Sequence, residues 1–407
     1  AGVADTSFGL GYGAGPYGME TYGTPREDAS GVEIELRVWW LAEYGNQVLT
    51  VPSGGTLYIW DEPNNEPRFE AVSNAPASIR AMFVTPERFP VALGTTTPMT
   101  MQWPDVDDIT DWTPDETNTA NIRTLQNGSK LVGGTGVVEG LSLVWSDTSV
   151  YAMQYTGSDF VYETRLVGEN CGLIAPQAFC GTGATAFWMS SAGFHYFTGT
   201  VESVPNEADI LAYVRRNLST DKASKICCGF NPEAREVWWI WPAEGADEPD
   251  HYVAVALENW SWTAGRIVRT TIAISRSPGG TVIMAGADGY LYAHETGLNG
   301  DGEAIEAYIE TGLASIGGGS TNLDIFGFVP DFERQSGPVD VTIFSKERPN
   351  SATRLDEETL TIEEGQGMVD ARVHGRHFGF RLTTDRVGGD MRLGIPAVEA
   401  QGAGDRR

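Results

Sequence analysis

From residue 33 onward, short apolar segments alternate with turns rich in Gly, Ser and Asp, and few stretches keep a helical period. Apolar runs of roughly four to eight residues bounded by such turns predict strands. Four segments share one form, a turn followed by a Tyr flanked by large residues: SGGTLYIW (53–60), SDTSVYAM (146–153), SAGFHYFT (191–198) and ADGYLYAH (287–294). Their tyrosines, Tyr58, Tyr151, Tyr196 and Tyr292, are spaced 93, 45 and 96 residues apart. Those intervals are close to two, one and two units of about 47, the length of one propeller blade. The two missing copies are expected near residues 104 and 243, in MTMQWPD (99–105) and EVWWIWPAE (236–244). Six modules then fit between 33 and 300. A sheet this small cannot hide its apolar face alone, so the modules must stack around an axis.

One helix is expected near 206–216, between the fourth and fifth modules. Asn206 stands at its cap, Glu207 and Asp209 in its first turn, and Ile210, Leu211 and Val214 form an apolar stripe. Arg215 and Arg216 suit its C-terminal end. After residue 300 the repeat stops. Strands are predicted at 305–312, 323–332, 339–345, 358–364 and 371–383, which reads as a separate β-sandwich ending in a polar tail at 402–407. Residues 1–32 are rich in Gly and Tyr and poor in aliphatics, so they form an extended arm with no core of its own. The fold class is therefore all-β: a six-module β-propeller over 33–300, a C-terminal β-sandwich over 301–407, and the arm.

Composition sharpens this picture. The 407 residues carry 49 Gly and 42 aromatic side chains (12 Trp, 14 Tyr and 16 Phe), in keeping with many turns and strands. Acidic residues outnumber basic ones 55 to 27, a formal net charge of −28. Such a surface repels phosphate, which argues against sequence-reading DNA binding and against docking to an anionic membrane. No apolar run is long enough to span a bilayer. The N-terminus shows no basic region followed by an apolar one, so no secretory signal is expected. Cys171, Cys180, Cys227 and Cys228 form no CxxC pair, so a zinc knuckle or disulfide framework is not expected and a reducing, intracellular origin fits.

Candidate chemistry is sparse. His374 and His377, at i and i+3 of a predicted strand, point to opposite faces and suit no shared metal. Neither an HExxH nor a GxSxG motif occurs, and the Gly-x-Gly of the arm lacks the flanking strand and helix of a dinucleotide loop. Asp105, Asp107, Asp108 and Asp111 lie in one acidic segment and are candidate calcium ligands without EF-hand spacing, while 298–303 (LNGDGE) reads better as a plain turn. Cys227 and Cys228 read as buried small hydrophobes, and the WWIW run at 238–241 as blade core. No enzyme activity and no cofactor are expected. The rival reading is a monomeric carbohydrate-binding or glycan-hydrolysing propeller, whose aromatic and acidic residues would converge on one face.

Three stretches together resemble a known family: the arm FGLGYGAGPYGMETYGT, the block from SLVWSDTSVYAMQYTG through ENCGLIAPQAFCGTGATAFWMSSAGFHYFTG to VWWIWP and LENWSWTAGRIVRT, and the C-terminal VHGRHFGFRLTTD with MRLGIPAVEAQGAGDRR. They resemble the tail nozzle, or packaged-DNA stabilisation, proteins of short-tailed bacteriophages. The resemblance implies a virion tail protein made in the host cytoplasm. It implies a hexameric ring below the portal and adaptor, meeting tail fibre or tip proteins, which retains genomic DNA and conducts it during ejection. Many members of the family are longer than this chain. The arm then lies across a neighbouring subunit, with Tyr12, Tyr17 and Tyr22 as its buried anchors.

Overall fold

A computed structural model describes residues 37–61, 68–106, 108–138, 140–157, 161–183, 185–274, 280–315 and 321–403. The chain divides into two compact units, Ala1–His294 and Glu295–Arg407; the sequence reading put the change after residue 300. The expected arm, with Tyr12, Tyr17 and Tyr22, lies outside the described residues.

The described part of the first unit holds six antiparallel sheets, each a simple meander in sequence order. Sheet 1 runs from Trp39 to Ala71, sheet 2 from Ala81 to Thr124, sheet 3 from Leu131 to Glu169, and sheet 4 from Phe179 to Ser203. Sheet 5 runs from Cys227 to Arg266 and sheet 6 from Thr271 to Ala293. The first five have four strands and the sixth has three among the described residues. The first strands of consecutive sheets lie side by side. Sheets 1 and 6 meet around one cavity lined by Trp39 and Leu41 on one side and Thr271–Ala273 on the other. Six first strands therefore surround a common axis, as in a six-bladed propeller.

Stacking is driven by burial between neighbouring sheets. One core joins sheets 1 to 3 through Leu49, Phe83, Trp103 and Tyr162. A second joins sheets 3 to 5 through Trp145, Trp188, Phe194 and Trp239. A smaller one joins sheets 5 and 6 through Cys227, Ile240, Ile272, Val282 and Met284. Each fully buried aromatic of this size contributes roughly 1.5–3 kcal/mol or more relative to exposure.

The repeated tyrosines share a strand but not a face: Tyr58, Tyr151, Tyr196 and Tyr292 all sit on the third strand of their sheet, with Tyr151 in the core of sheets 1 to 3 and Tyr196 packed on Trp260. The copy expected at 99–105 is also a third strand, Thr100–Trp103. The copy expected at 236–244 is displaced. Glu236–Trp241 is the second strand of sheet 5, and its third is His251–Ala256. The nine residues 242–250 that join these strands lengthen the hairpin and shift the copy away from the 47-residue period.

The helix between sheets 4 and 5 spans Ala208–Asn217. Glu207, not Asn206, is its cap residue, because Asn206 adopts a left-handed φ of 58° and donates from Nδ2 to the Trp260 carbonyl. Val214 is its one fully buried side chain among the described residues. Arg215 fastens the helix to sheet 4 by donating to the carbonyls of Ser191 and Ala192.

The second unit is a β-sandwich. One sheet contains Ala307–Glu310, His377–Thr384, Val339–Lys346 and Asp356–Ile362. The facing sheet contains Val369–Gly375, Leu323–Val329 and Ala397–Gly402, and Phe332–Ser336 pairs with Asp390–Leu393 in a separate ribbon. Ile325, Phe328, Val341, Ile343, Val373 and Leu382 fill the space between the sheets. The stretch 371–383, expected as one strand, is two: the chain breaks at Arg376 and passes from one sheet to the other. Burial alternates strictly before the break and only loosely after it. Residues 397–402 also pair as a strand where a polar tail was expected to begin at 402.

Candidate functional site

The propeller axis is the natural place for a site in this fold, and here an aromatic contact crosses it. On the first strand of sheet 1, burial alternates: Trp39, Leu41 and Glu43 are exposed, while Trp40 is buried. Trp40 stacks on Phe179 of sheet 4 with ring centroids 6.4 Å apart, and Phe179 stacks on Trp145 of sheet 3 at 5.0 Å. Sheets 1 and 4 are not neighbours, so the first of these contacts crosses the ring. The first strand of sheet 3, LVGGTGVV, supplies the room. A Cβ on Gly133 would press on Leu173, Trp40 and Phe179, one on Gly134 would collide with the Phe83 ring, and one on Gly136 would meet Pro86 at 2.9 Å. These glycines are needed because rings from sheets 1, 2 and 4 pack on the bare backbone.

Two cavities of about 870 and 550 Å³ flank this aromatic cluster, and Leu41 and Gln177 line both. The larger includes Glu43, Arg88, Thr85 and Thr135; the smaller includes Trp39, Arg37, Lys225 and Glu248. Lys225 Nζ donates to Glu248 Oε1 at 2.8 Å and to the Asp247 carbonyl at 2.7 Å. Among the described lining residues, each cavity has a single carboxylate. Glycoside hydrolysis ordinarily needs two, at about 5–10 Å across one substrate.

The acidic segment behaves as a self-satisfied loop. Asp105 Oδ1 accepts from the Thr119 amide and hydroxyl, and Asp108 Oδ1 from the Thr110 amide and hydroxyl. Asp111 accepts from the Thr113 amide and Asn118 Nδ2. These bonds, first that to the Thr110 hydroxyl, hold the Asp108 carboxyl below its usual range. The carboxylates point at their own loop's donors and not at one another. Among the described residues, no three His, Cys, Asp or Glu side chains could share a metal. Asp107 lies outside the described residues. Residues 299–304 form a two-stranded hairpin turning at Asp301 and Gly302, both with positive φ.

His374 and His377 fall on different sheets. His374 Nδ1 meets Asp324 Oδ1 at 2.6 Å, and His377 Nδ1 meets the Ser315 hydroxyl at 2.7 Å. His195 is 8% exposed and its Nε2 lies 2.8 Å from Ser190 Oγ. Burial lowers its pKa to about 4, so it stays neutral at ordinary pH. Ser190 Oγ accepts the amides of Ala192 and Gly193, which makes it the staple of a hairpin turn. Ser146 does the same in sheet 3, accepting from Thr148 and Ser149. The WWIW run is core: Trp239 and Trp241 are fully buried, and Trp238 stacks on Tyr252 at 4.6 Å.

The sequence reading missed the axial aromatic cluster of Trp40, Phe83 and Phe179. The signal available for it was the glycine run at 133–136, whose partners lie on three other sheets.

No model of a known protein family and no curated protein matches the chain. Among solved structures, it is similar to the dihydro-heme d1 dehydrogenase NirN in complex with DHE, at 11% identity and a TM-score of 0.41, over 83% of this chain and 67% of that one. It is also similar to a chain of the mitotic checkpoint complex, at 14% identity and a TM-score of 0.38, over 61% and 71% respectively. Likeness this slight carries nothing about role. The architecture rests on the sheets themselves.

Proposed function

We propose that the chain is a structural protein of a phage tail, a subunit of a ring-shaped nozzle below the portal that retains packaged DNA and conducts it during ejection. Support comes first from the three stretches that resemble the nozzle proteins. The structural observation that carries the reading furthest is the aromatic contact across the propeller axis. Trp40 of sheet 1 and Phe179 of sheet 4 stack across the ring, and Phe179 stacks on Trp145 of sheet 3, which leaves no room for a duplex along the axis. A DNA conduit built from such propellers must run between subunits arranged in a ring. The excess of acidic residues suits a wall past which a duplex slides, because it repels phosphate, whereas a basic lining would hold it.

Counting the chain against the portal in purified virions, by quantitative mass spectrometry, tests the reading. About six copies for each portal ring are expected, and a knockout should lose packaged DNA. Absence of the chain from the particle overturns it. Glycan binding by a monomer would then favour the carbohydrate-acting propeller.

A further inference from the structure

Cys180 and Cys228 are 48 residues apart, close to one repeat of the propeller. They lie on the first strands of sheets 4 and 5, each paired to the second strand of its own sheet: Cys180 with Phe187, Cys228 with Trp239. The two first strands touch directly. Gln177 and Cys227 form a parallel bridge, and the Cys228 amide donates to the Gln177 carbonyl at 2.7 Å.

Strand alternation then separates the vicinal cysteines. Cys227 enters the layer between sheets 5 and 6 with Ile240, Ile272 and Met284. Cys228 enters the layer between sheets 4 and 5, where Cys180 packs against the same core. Cys228 is buried and Cys180 half-buried, so one member of the pair is open to solvent and the other lies behind it. Cys171, in the same core, lies against Gly168 of sheet 3.

We propose that Cys180 and Cys228 are an oxidisable dithiol that takes a small soluble disulfide as oxidant and closes into a cystine joining sheets 4 and 5. The Cys180 thiol loses its proton to solvent, and its sulfur attacks one sulfur of the disulfide, expelling the first small thiol. The Cys228 sulfur, losing its proton in turn, attacks the Cys180 sulfur of the mixed disulfide and expels the second small thiol. Two thiols of the protein become one S–S bond, and the small disulfide takes up the two electrons and two protons as two thiols. The two cysteines lie on touching strands and border one core, the arrangement that an S–S bond of about 2.05 Å requires.

The test treats the folded full chain with oxidised glutathione, quenches in acid, and counts thiols after unfolding. Two of the four thiols should be lost and recovered by dithiothreitol, with the cross-link mapped to Cys180 and Cys228 by fragmentation. A Cys171→Ala/Cys227→Ala variant should lose both of its remaining thiols in the same way. Should that variant not fold, the cross-link map of the unaltered chain decides. Four surviving thiols, a glutathione adduct that stays open on Cys180, or a cross-link through Cys171 or Cys227 would each overturn the proposal.

Discussion

Single residues in this protein are constrained mainly by what lies across from them on another sheet. Gly134 shows this most directly, because the Phe83 ring occupies the space its side chain would need. Gly134→Ala should destabilise the chain by about 1–3 kcal/mol, the usual cost of overpacking a core. A lowered urea midpoint checks this, and an unchanged midpoint would mean that Phe83 has another place to go. His195 sets a pH dependence. Its folded pKa of about 4 lies below the ordinary 6.5, so between those values the unfolded chain binds a proton that the folded chain refuses. Stability from this group is complete above pH 6.5 and declines as the pH falls towards 4, by at most about 3 kcal/mol. His195→Gln should flatten that part of the stability–pH curve relative to the unaltered chain. His294, also lowered by burial, remains in both proteins and drops out of the difference.

The elements differ in how much core they share. Sheets 1 to 5 contribute to two large buried clusters, whereas sheet 6 adds Ile272, Val282 and Met284 to a small one. Local opening follows buried apolar contact, so amides of Thr271–Ile274 and Val282–Ala285 should exchange fastest among the propeller strands. Hydrogen exchange resolved by peptide reads this, and protection equal to that of sheet 3 would contradict it. The same scale shows what was legible beforehand. Turn-plus-Tyr segments announced third strands at Tyr58, Tyr151, Tyr196 and Tyr292, because a tight turn and strand alternation are local properties. Sheet 5 was misread because residues 242–250 lengthen one hairpin, and a period cannot reveal which strand an aromatic run occupies. The division at Arg376 escaped notice because both halves are strands and differ only in their pairing partners, which no local pattern records.

For the whole molecule, charge and architecture bear on the proposed role together. A chain with 55 acidic and 27 basic residues should leave linear duplex DNA unretarded in a native gel at low salt, where any phosphate affinity is strongest. Retardation at low salt would argue against a wall that lets DNA slide. A helix long and apolar enough to cross a membrane is absent among the described residues. Removing residues 1–30 should weaken ring assembly, read by mass photometry, and leave circular dichroism of the propeller unchanged. Normal assembly after the deletion would count against a subunit-bridging arm.

By itself the sequence determined the all-β class, the count of six modules, the helix between the fourth and fifth, and the burial of Trp239 and Trp241. All of these follow from periodicity, turn chemistry and apolar content within a few neighbouring residues. Tertiary structure alone decided the rest. The rings of Trp40 and Phe179 stack across the ring although 139 residues separate them along the chain. It likewise brought Cys228 to Cys180 while turning it away from Cys227, and it turned the acidic segment inward on its own threonines. Such contacts arise when sheets stack around a closed ring, and no local pattern records which residues from distant sheets will then face each other.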